Sequence, residues 1–389
     1  MLFALCSAGL FAVNENVAVW EQIYRKADNV DQRISIMLKI MDFKDREFAP
    51  LLSEALDDMV VHKIDSGSAK EKFSKIQLAR LIVQELGNLK SAEYASSVFA
   101  VYTDTADPKL KSDAAVALGQ MRATDYAERF AADLQSLNLK PDPAEFRGQE
   151  ILALGLVQSL DSMRSVKGYE PVFLASLGWY SSVSKVRETA KAALVTMVDD
   201  PSESVLNIVV NNSSIDIKTA ALESVLASKA PDEKKASVAA AALDIAINRA
   251  TNDVASRTAV AKLRVSSLDA LIGLQDHSGA NVNFYTDIIK MDKKNDATLE
   301  ETLKAYMALG VNGTDDAAKY LAAKLSEYNE KERSKANTVR DKSLIRQIVA
   351  SMKTSKNPIV KNALNEGLYI DYDNSILRPM RDAVNSFQK

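Results

Sequence analysis

Few residues in this chain are of a type and spacing that could do chemistry. Its 389 residues hold one cysteine and two histidines. His62 and His277 stand about 215 positions apart, each in a segment that reads as a loop, with no nucleophile signature nearby. A serine triad or a histidine-ligated metal therefore has little to draw on. No G-x-S-x-G elbow, P-loop, G-x-G-x-x-G or H-E-x-x-H occurs. The acid pairs Asp57-Asp58 and Asp199-Asp200 have the residue types of a glycosidase or metal site. Both fall where helices are expected to end, and there Asp serves caps and turns. The stretch Asp371-Tyr372-Asp373-Asn374 alternates oxygen donors but lacks the glycine and downstream Glu of a calcium loop. The expectation is a non-enzymatic chain with no catalytic residue, no metal and no cofactor.

Two further clusters invite a binding role. Lys63, Lys70, Lys72, Lys75 and Arg80 form a basic run broken by Glu71. Nucleic-acid surfaces normally add stacking aromatics and a basic net charge. This chain sets 49 Lys+Arg against 52 Asp+Glu, a formal net charge of −3. The run reads as a solvated face, open to an acidic protein or to anionic headgroups, and nucleic acid is not an expected partner. Trp179-Tyr180 follows Gly178 in an inter-helix loop. Such a pair is either an interface anchor or an aromatic wedge between neighbouring units, and the wedge is the more economical reading.

The elements that would carry these residues are helical. Only 13 glycines and 9 prolines occur, about half the usual share, which excludes sandwiches, barrels and propellers with their frequent turns. The 47 % hydrophobic and 26 % charged composition is that of a globular chain. Residues 2–12 are apolar and uncharged, too few to span a bilayer but suited to the core of a secretory signal. Its basic start is missing, since the first cation is Arg25. Residues 1–12 are thus expected to be a truncated signal segment, cleaved after Ala12, on a chain exported to the periplasm or cell envelope. Cys6 either leaves with that segment or serves as a lipidation site, for which Leu5 is a poor preceding residue. No integral membrane span is expected in the mature chain.

The rest repeats. The clearest unit runs Asp107-Pro108-Lys109-Leu110-Lys111-Ser112-Asp113-Ala114-Ala115-Val116-Ala117-Leu118-Gly119. Its apolar slots recur at helical spacing, with proline at a helix start and glycine marking the end. Anchored on the Leu slot, copies fall at Ile40, Leu86, Leu118, Leu154, Leu194, Val225, Leu271, Leu309 and Met352, on average about 39 residues apart. A period of that size is the mark of helix-pair arrays. After the anchor, Leu86 to Ala95 can be laid over Leu118 to Ala127 without a gap, with Tyr94 on Tyr126; Phe48 and Ala49 keep the same offsets from Ile40.

The ending Ala114-Ala115-x-Ala117-Leu118-Gly119, after Asp107-Pro108 and Leu110-Lys111, resembles HEAT repeats, especially the HEAT-like type also found in phycobilisome lyases. The resemblance implies an all-α superhelix, a solenoid of about nine helix pairs. The array would cover residues 30–366, with an amino-terminal capping helix in 13–29 and a capping segment in 367–389. It also implies that Lys111, Arg147, Arg187, Lys218 and Arg264 begin the second helix of each pair, and that second helices line a concave face. On that face Arg80, Asp113, Gln149, Glu188 and Ser267 are the candidate binding residues. The expected function is a scaffold or adaptor for protein partners in the bacterial cell envelope. A structural spacer without a dedicated partner is the alternative, and a HEAT-fold enzyme such as a lyase a more distant one.

Overall fold

The computed structural model describes residues 15–294 and 296–387. The signal-like segment 1–12 and Cys6 lie outside these residues. The chain divides into two compact units, with the boundary at Asp199–Asp200. In the first unit the helices pair as α1 (Glu15–Arg25) with α2 (Val30–Phe43), α3 (Ala49–Val61) with α4 (Ala69–Asn88), α5 (Ala95–Asp104) with α6 (Pro108–Gln120), α7 (Ala127–Leu139) with α8 (Phe146–Met163), and α9 (Tyr169–Leu177) with α10 (Val186–Thr196). In the second they pair as α11 (Ser202–Asn211) with α12 (Ile215–Ala227), α13 (Asp232–Asn248) with α14 (Val254–Gly273), α15 (Val282–Asp292) with α16 (Leu299–Asn312), α17 (Asp315–Arg333) with α18 (Val339–Ser355), and α19 (Lys361–Gly367) with α20 (Asn374–Ser386). No strand occurs among the described residues. Each unit is a run of stacked helix pairs, so the fold class is all-α, an α-solenoid. All nine anchors fall on second helices, α2 to α18. The last helix, α20, begins at Asn374 within the expected capping segment 367–389.

Side-chain caps decide where most second helices start. Asn29, Ser68, Asp107, Ser214, Asp253, Thr298, Thr338 and Asp373 each accept an amide of the first turn. Four of these starts are reciprocal capping boxes, as at Ser68 with Glu71. Pro108 takes the first helical position, where its missing N–H costs nothing.

The ends of second helices follow a shared device. Lys44, Lys90, Arg122 and Arg164 adopt left-handed backbone at φ between 50° and 56° in four successive turns of the first unit. The amides of Ser91, Ala123 and Ser165 reach back to the carbonyls of Leu86, Leu118 and Leu160 at 3.0–3.2 Å, closing the helices in the Schellman manner. A single 3-10 turn follows each: Arg46–Phe48, Ala92–Tyr94, Thr124–Tyr126, Val166–Gly168. Glycine is the residue such a position favours. A cation there lies against the negative end of the helix dipole, which offsets part of the backbone strain.

This device corrects the register of one copy. Arg164 stands four residues after Leu160, as Lys90 stands after Leu86 and Arg122 after Leu118. The anchor of α8 is therefore Leu160, which is fully buried, and not Leu154, which is half-exposed. The Ala-Leu-Gly run at 153–155 imitates the template six residues too early.

Glycine after the anchor has another meaning than a helix end. A Cβ on Gly119 of α6 would lie 2.7 Å from Ser159 Cα of α8, and one on Gly155 of α8 would lie 2.9 Å from Ser112 Cα of α6. Gly310 of α16 faces Ser351 of α18 at 2.7 Å, and Gly87 of α4 faces Ala117 of α6 at 2.9 Å. Successive second helices touch backbone to backbone, and only small residues permit it. Gly119→Ala is expected to cost about 1–3 kcal/mol through forced separation of α6 and α8. Gly273→Ala, where a Cβ meets nothing within 4 Å, should be neutral or stabilise by up to about 1 kcal/mol. Urea titrations followed by circular dichroism compare the two, and equal effects would contradict the packing assignment.

Candidate functional site

The template cations were expected on a binding face, yet the buried ones serve the pair itself. Lys218 Nζ in α12 donates to the carbonyls of Val209 and Val210 in the last turn of α11. Burial pushes its ammonium below the usual lysine range, and Arg249 adds to the shift. Arg264 Nε in α14 donates to Ala246 O near the end of α13 at 3.0 Å. In the first unit Lys111 lies over the Tyr102 ring at 5.7 Å, and Arg33 over Tyr24 at 5.6 Å. Both tyrosines sit in the last turns of the preceding first helices. A cation that opens one helix is unfavourable against that helix's own dipole, but here it meets the carbonyl end of its antiparallel partner. Arg147 and Arg187 remain exposed.

Arg264 does more. Its Nη1 also reaches Asp296 O and Glu301 Oε1, both at 3.2 Å, in an ion pair with side chains only 6 % and 1 % exposed. Glu301 Oε2 accepts the Thr298 amide at 2.6 Å, so one carboxylate caps α16 and neutralises the guanidinium. The pair locks α13, α14 and α16 together.

The five candidate residues do not form one site. Arg80 Nε donates to Asp113 Oδ2 at 2.6 Å, with Gln84 on the same oxygen at 3.2 Å, so this pair is a rung between α4 and α6. Gln149 Oε1 accepts the Asp142 amide at 3.0 Å and fixes the loop before α8. Glu188 is exposed in the first turn of α10. Ser267 is fully buried in α14 with its hydroxyl lacking a hydrogen-bond partner, so it presents nothing to a surface. The Ser267 reading failed because its position on the buried face of α14 depends on the neighbours of that helix.

Other sequence candidates are also engaged. His62 Nδ1 sits 2.8 Å from Asp58 O, and His277 Nδ1 sits 3.2 Å from Asn312 O. Lys63 pairs with Asp104, Lys72 with Asp65, and Lys75 donates to Ser66 O. Asp371 pairs with Lys335, while Asp373 caps α20 and pairs with Lys342. Asp200 is held down to about 2 by the Lys234 ammonium and by Ser202. Among the described residues no group of three or more metal-ligating side chains converges, and no helix is long and apolar enough to cross a membrane.

What remains available to a partner is a row of apolar side chains that the periodic pattern did not single out. In the first unit Val61, Leu139 and Leu177 are the last residues of α3, α7 and α9, and all are exposed. Phe146 and Val183 lie at or just before the start of α8 and α10, Phe73 lies in the second turn of α4, and all three are exposed as well. Helices joined by short turns put these residues on one edge of the unit. Trp179 is half-buried on that edge, stacked on Phe146 with ring centroids 4.8 Å apart, its Nε1 donating to Leu137 O at 3.0 Å. Tyr180 beside it is the wedge, buried, with its hydroxyl bonded to Asn138 Oδ1 at 2.8 Å. The legible signal would have been apolar residues at helix ends, off the buried stripe.

No protein-family model and no curated protein matches the chain. Among solved structures it is similar to human deoxyhypusine hydroxylase in complex with glycerol, at 12 % identity over 96 % of each chain with a TM-score of 0.25. It is also similar to an engineered protein, at 11 % identity over 95 % of this chain and 99 % of that one, with a TM-score of 0.31.

Two predictions follow from the charged groups. Glu301→Gln strands a buried guanidinium and is expected to cost about 3–5 kcal/mol. Arg80→Ala breaks a half-exposed rung and should cost under about 1 kcal/mol; equal losses in urea titrations would refute the difference in role. Asp200 has a lowered folded-state value, so its contribution to stability is complete above the ordinary aspartate value near 4. It is lost as pH falls through about 2. Asp200→Asn should flatten the acid limb between those values in a pH series of denaturation midpoints, and an unchanged limb would count against the pair.

Proposed function

We propose that this chain is a non-enzymatic protein-binding scaffold built of HEAT-like repeats and working in the bacterial cell envelope. The observation that carries the binding role is the apolar edge of the first unit. Five hydrophobic side chains stand in solvent at equivalent ends of helix pairs, with Phe73 one turn into α4, beside a half-buried Trp. Exposed apolar surface of this kind marks interaction sites, and Trp is enriched among the residues that dominate binding energy. The second-helix residues favoured by the family resemblance are largely spent on contacts within the chain. Placement in the envelope rests on the apolar run 2–12, and the absence of enzymatic chemistry on the poverty of catalytic motifs.

A spacer remains the second reading, favoured by ion pairs that bridge successive helix pairs of the first unit. Arg25–Glu54, Arg46–Glu93 and Lys167–Glu128 all span one repeat, at 2.6–2.8 Å. A photo-crosslinking residue at Leu177 or Phe73, in the native host, separates the two. A scaffold gives one dominant crosslinked protein from these positions, lost in a Leu139→Glu, Val183→Glu variant of unchanged helicity. A spacer gives none, and loses its role only when a whole helix pair is deleted.

A further inference from the structure

The second unit contains a recess of about 330 Å3 between the first turns of α14 and α16, beside the end of α13. Three guanidiniums line it: Arg249, just past α13, Arg257 in the first turn of α14, and Arg264 one helical stretch further in. The first two are exposed, while Arg264 is 5 % exposed. Two of the three Arg264 nitrogens are committed, Nε to Ala246 O and Nη1 to Asp296 O and Glu301. Arg264 itself belongs to the lining of the recess.

The opposing charges are weaker. Glu301 is enclosed, with one oxygen on Arg264 and the other on the Thr298 amide. Asp296 sits exposed at the rim. Asp253 lies close to Arg257, but its carboxylate serves the cap of α14 through the amide and hydroxyl of Ser256. Among the lining residues three cations face two carboxylates, and Asp253 beside Arg257 brings the local count to three against three, with Glu301 and Asp253 already engaged in helix caps.

We infer that this recess is a binding site for a single carboxylate, gripped by the guanidinium forks of Arg249 and Arg257, with Arg264 in its lining. Guanidinium forks match carboxylate and phosphate geometry alike. With the Glu301 and Asp253 carboxylates close by, a monoanion meets less repulsion there than a phosphate dianion. The carboxylate belongs either to a free small acid or to an acidic side chain of a peptide. The inference stands apart from the apolar edge, which lies in the other unit and is tested by other residues.

Calorimetric titration of the whole chain at low salt and about pH 8 tests it with three probes: butyrate, an acetylated and amidated peptide with one glutamate among alanines, and inorganic phosphate. Saturable binding of at least one carboxylate probe is expected, weakened about tenfold or more by Arg249→Gln with Arg257→Gln. Both positions are exposed, so the double variant should keep the parent melting temperature, which a thermal scan verifies. A preference for the peptide identifies a partner's acidic side chain, and a preference for butyrate identifies a free acid; either supports the site. Absence of saturation by both carboxylates at ~10 mM would overturn it. So would undiminished binding in the double variant, or phosphate binding as tightly as the better carboxylate.

Discussion

The pairing of helices in this protein depends on where a positive charge can rest at the junction between them. A cation in the opening turns of a second helix is out of place with respect to that helix, whose amide end is itself positive. The antiparallel neighbour supplies the remedy, since its carbonyl end arrives at the same edge. Lys218 and Arg264 reach those carbonyls directly. Lys111 and Arg33 instead cover a tyrosine in the closing turns of the first helix. The same residue type thus solves one electrostatic problem in two ways, according to whether its first helix ends in open carbonyls or in an aromatic ring. The contact holds each hairpin shut before neighbouring pairs are considered.

Stacking of one pair on the next rests on a different constraint, the distance at which two second helices can pass. Gly119 and Gly155 on α6 and α8, and Gly310 against Ser351 on α16 and α18, bring backbones together where any larger residue would separate them. Close passage leaves long polar side chains to reach across, as Arg80 does to Asp113. Residues that a sequence presents as free polar positions on a helix are thereby drawn into rungs between pairs. The apolar edge escapes this because helix ends project past the stack, where no neighbour covers them.

Much of the fold was legible in the sequence, and the site much less so. Anchors at a period of about 40 place every second helix from α2 to α18, because burial of one helical face repeats faithfully in the residue pattern. The failures share a cause. Ala153-Leu154-Gly155 matches the template in composition, but only the left-handed Arg164 shows that Leu160 is the true anchor. The glycine after the anchor looked like a terminator and is a packing residue. Ser267 was expected on the binding face, and the neighbours of α14 enclose it. Each error lies on the link from one helix to its neighbours, which periodicity along a single helix does not encode. The buried Arg264–Glu301 pair is of the same kind, joining residues 37 positions apart.

The left-handed cations that close successive second helices mark the chain at its natural joints. Lys44, Lys90, Arg122 and Arg164 are exposed, each between a completed second helix and the turn into the next first helix. A protease that cuts after lysine and arginine therefore finds its recognition residue at the seam of each repeat. Cleavage there parts the first unit into segments 45–90, 91–122 and 123–164, each one whole helical hairpin. The residue that closes each second helix thus also marks the joint between one pair and the next.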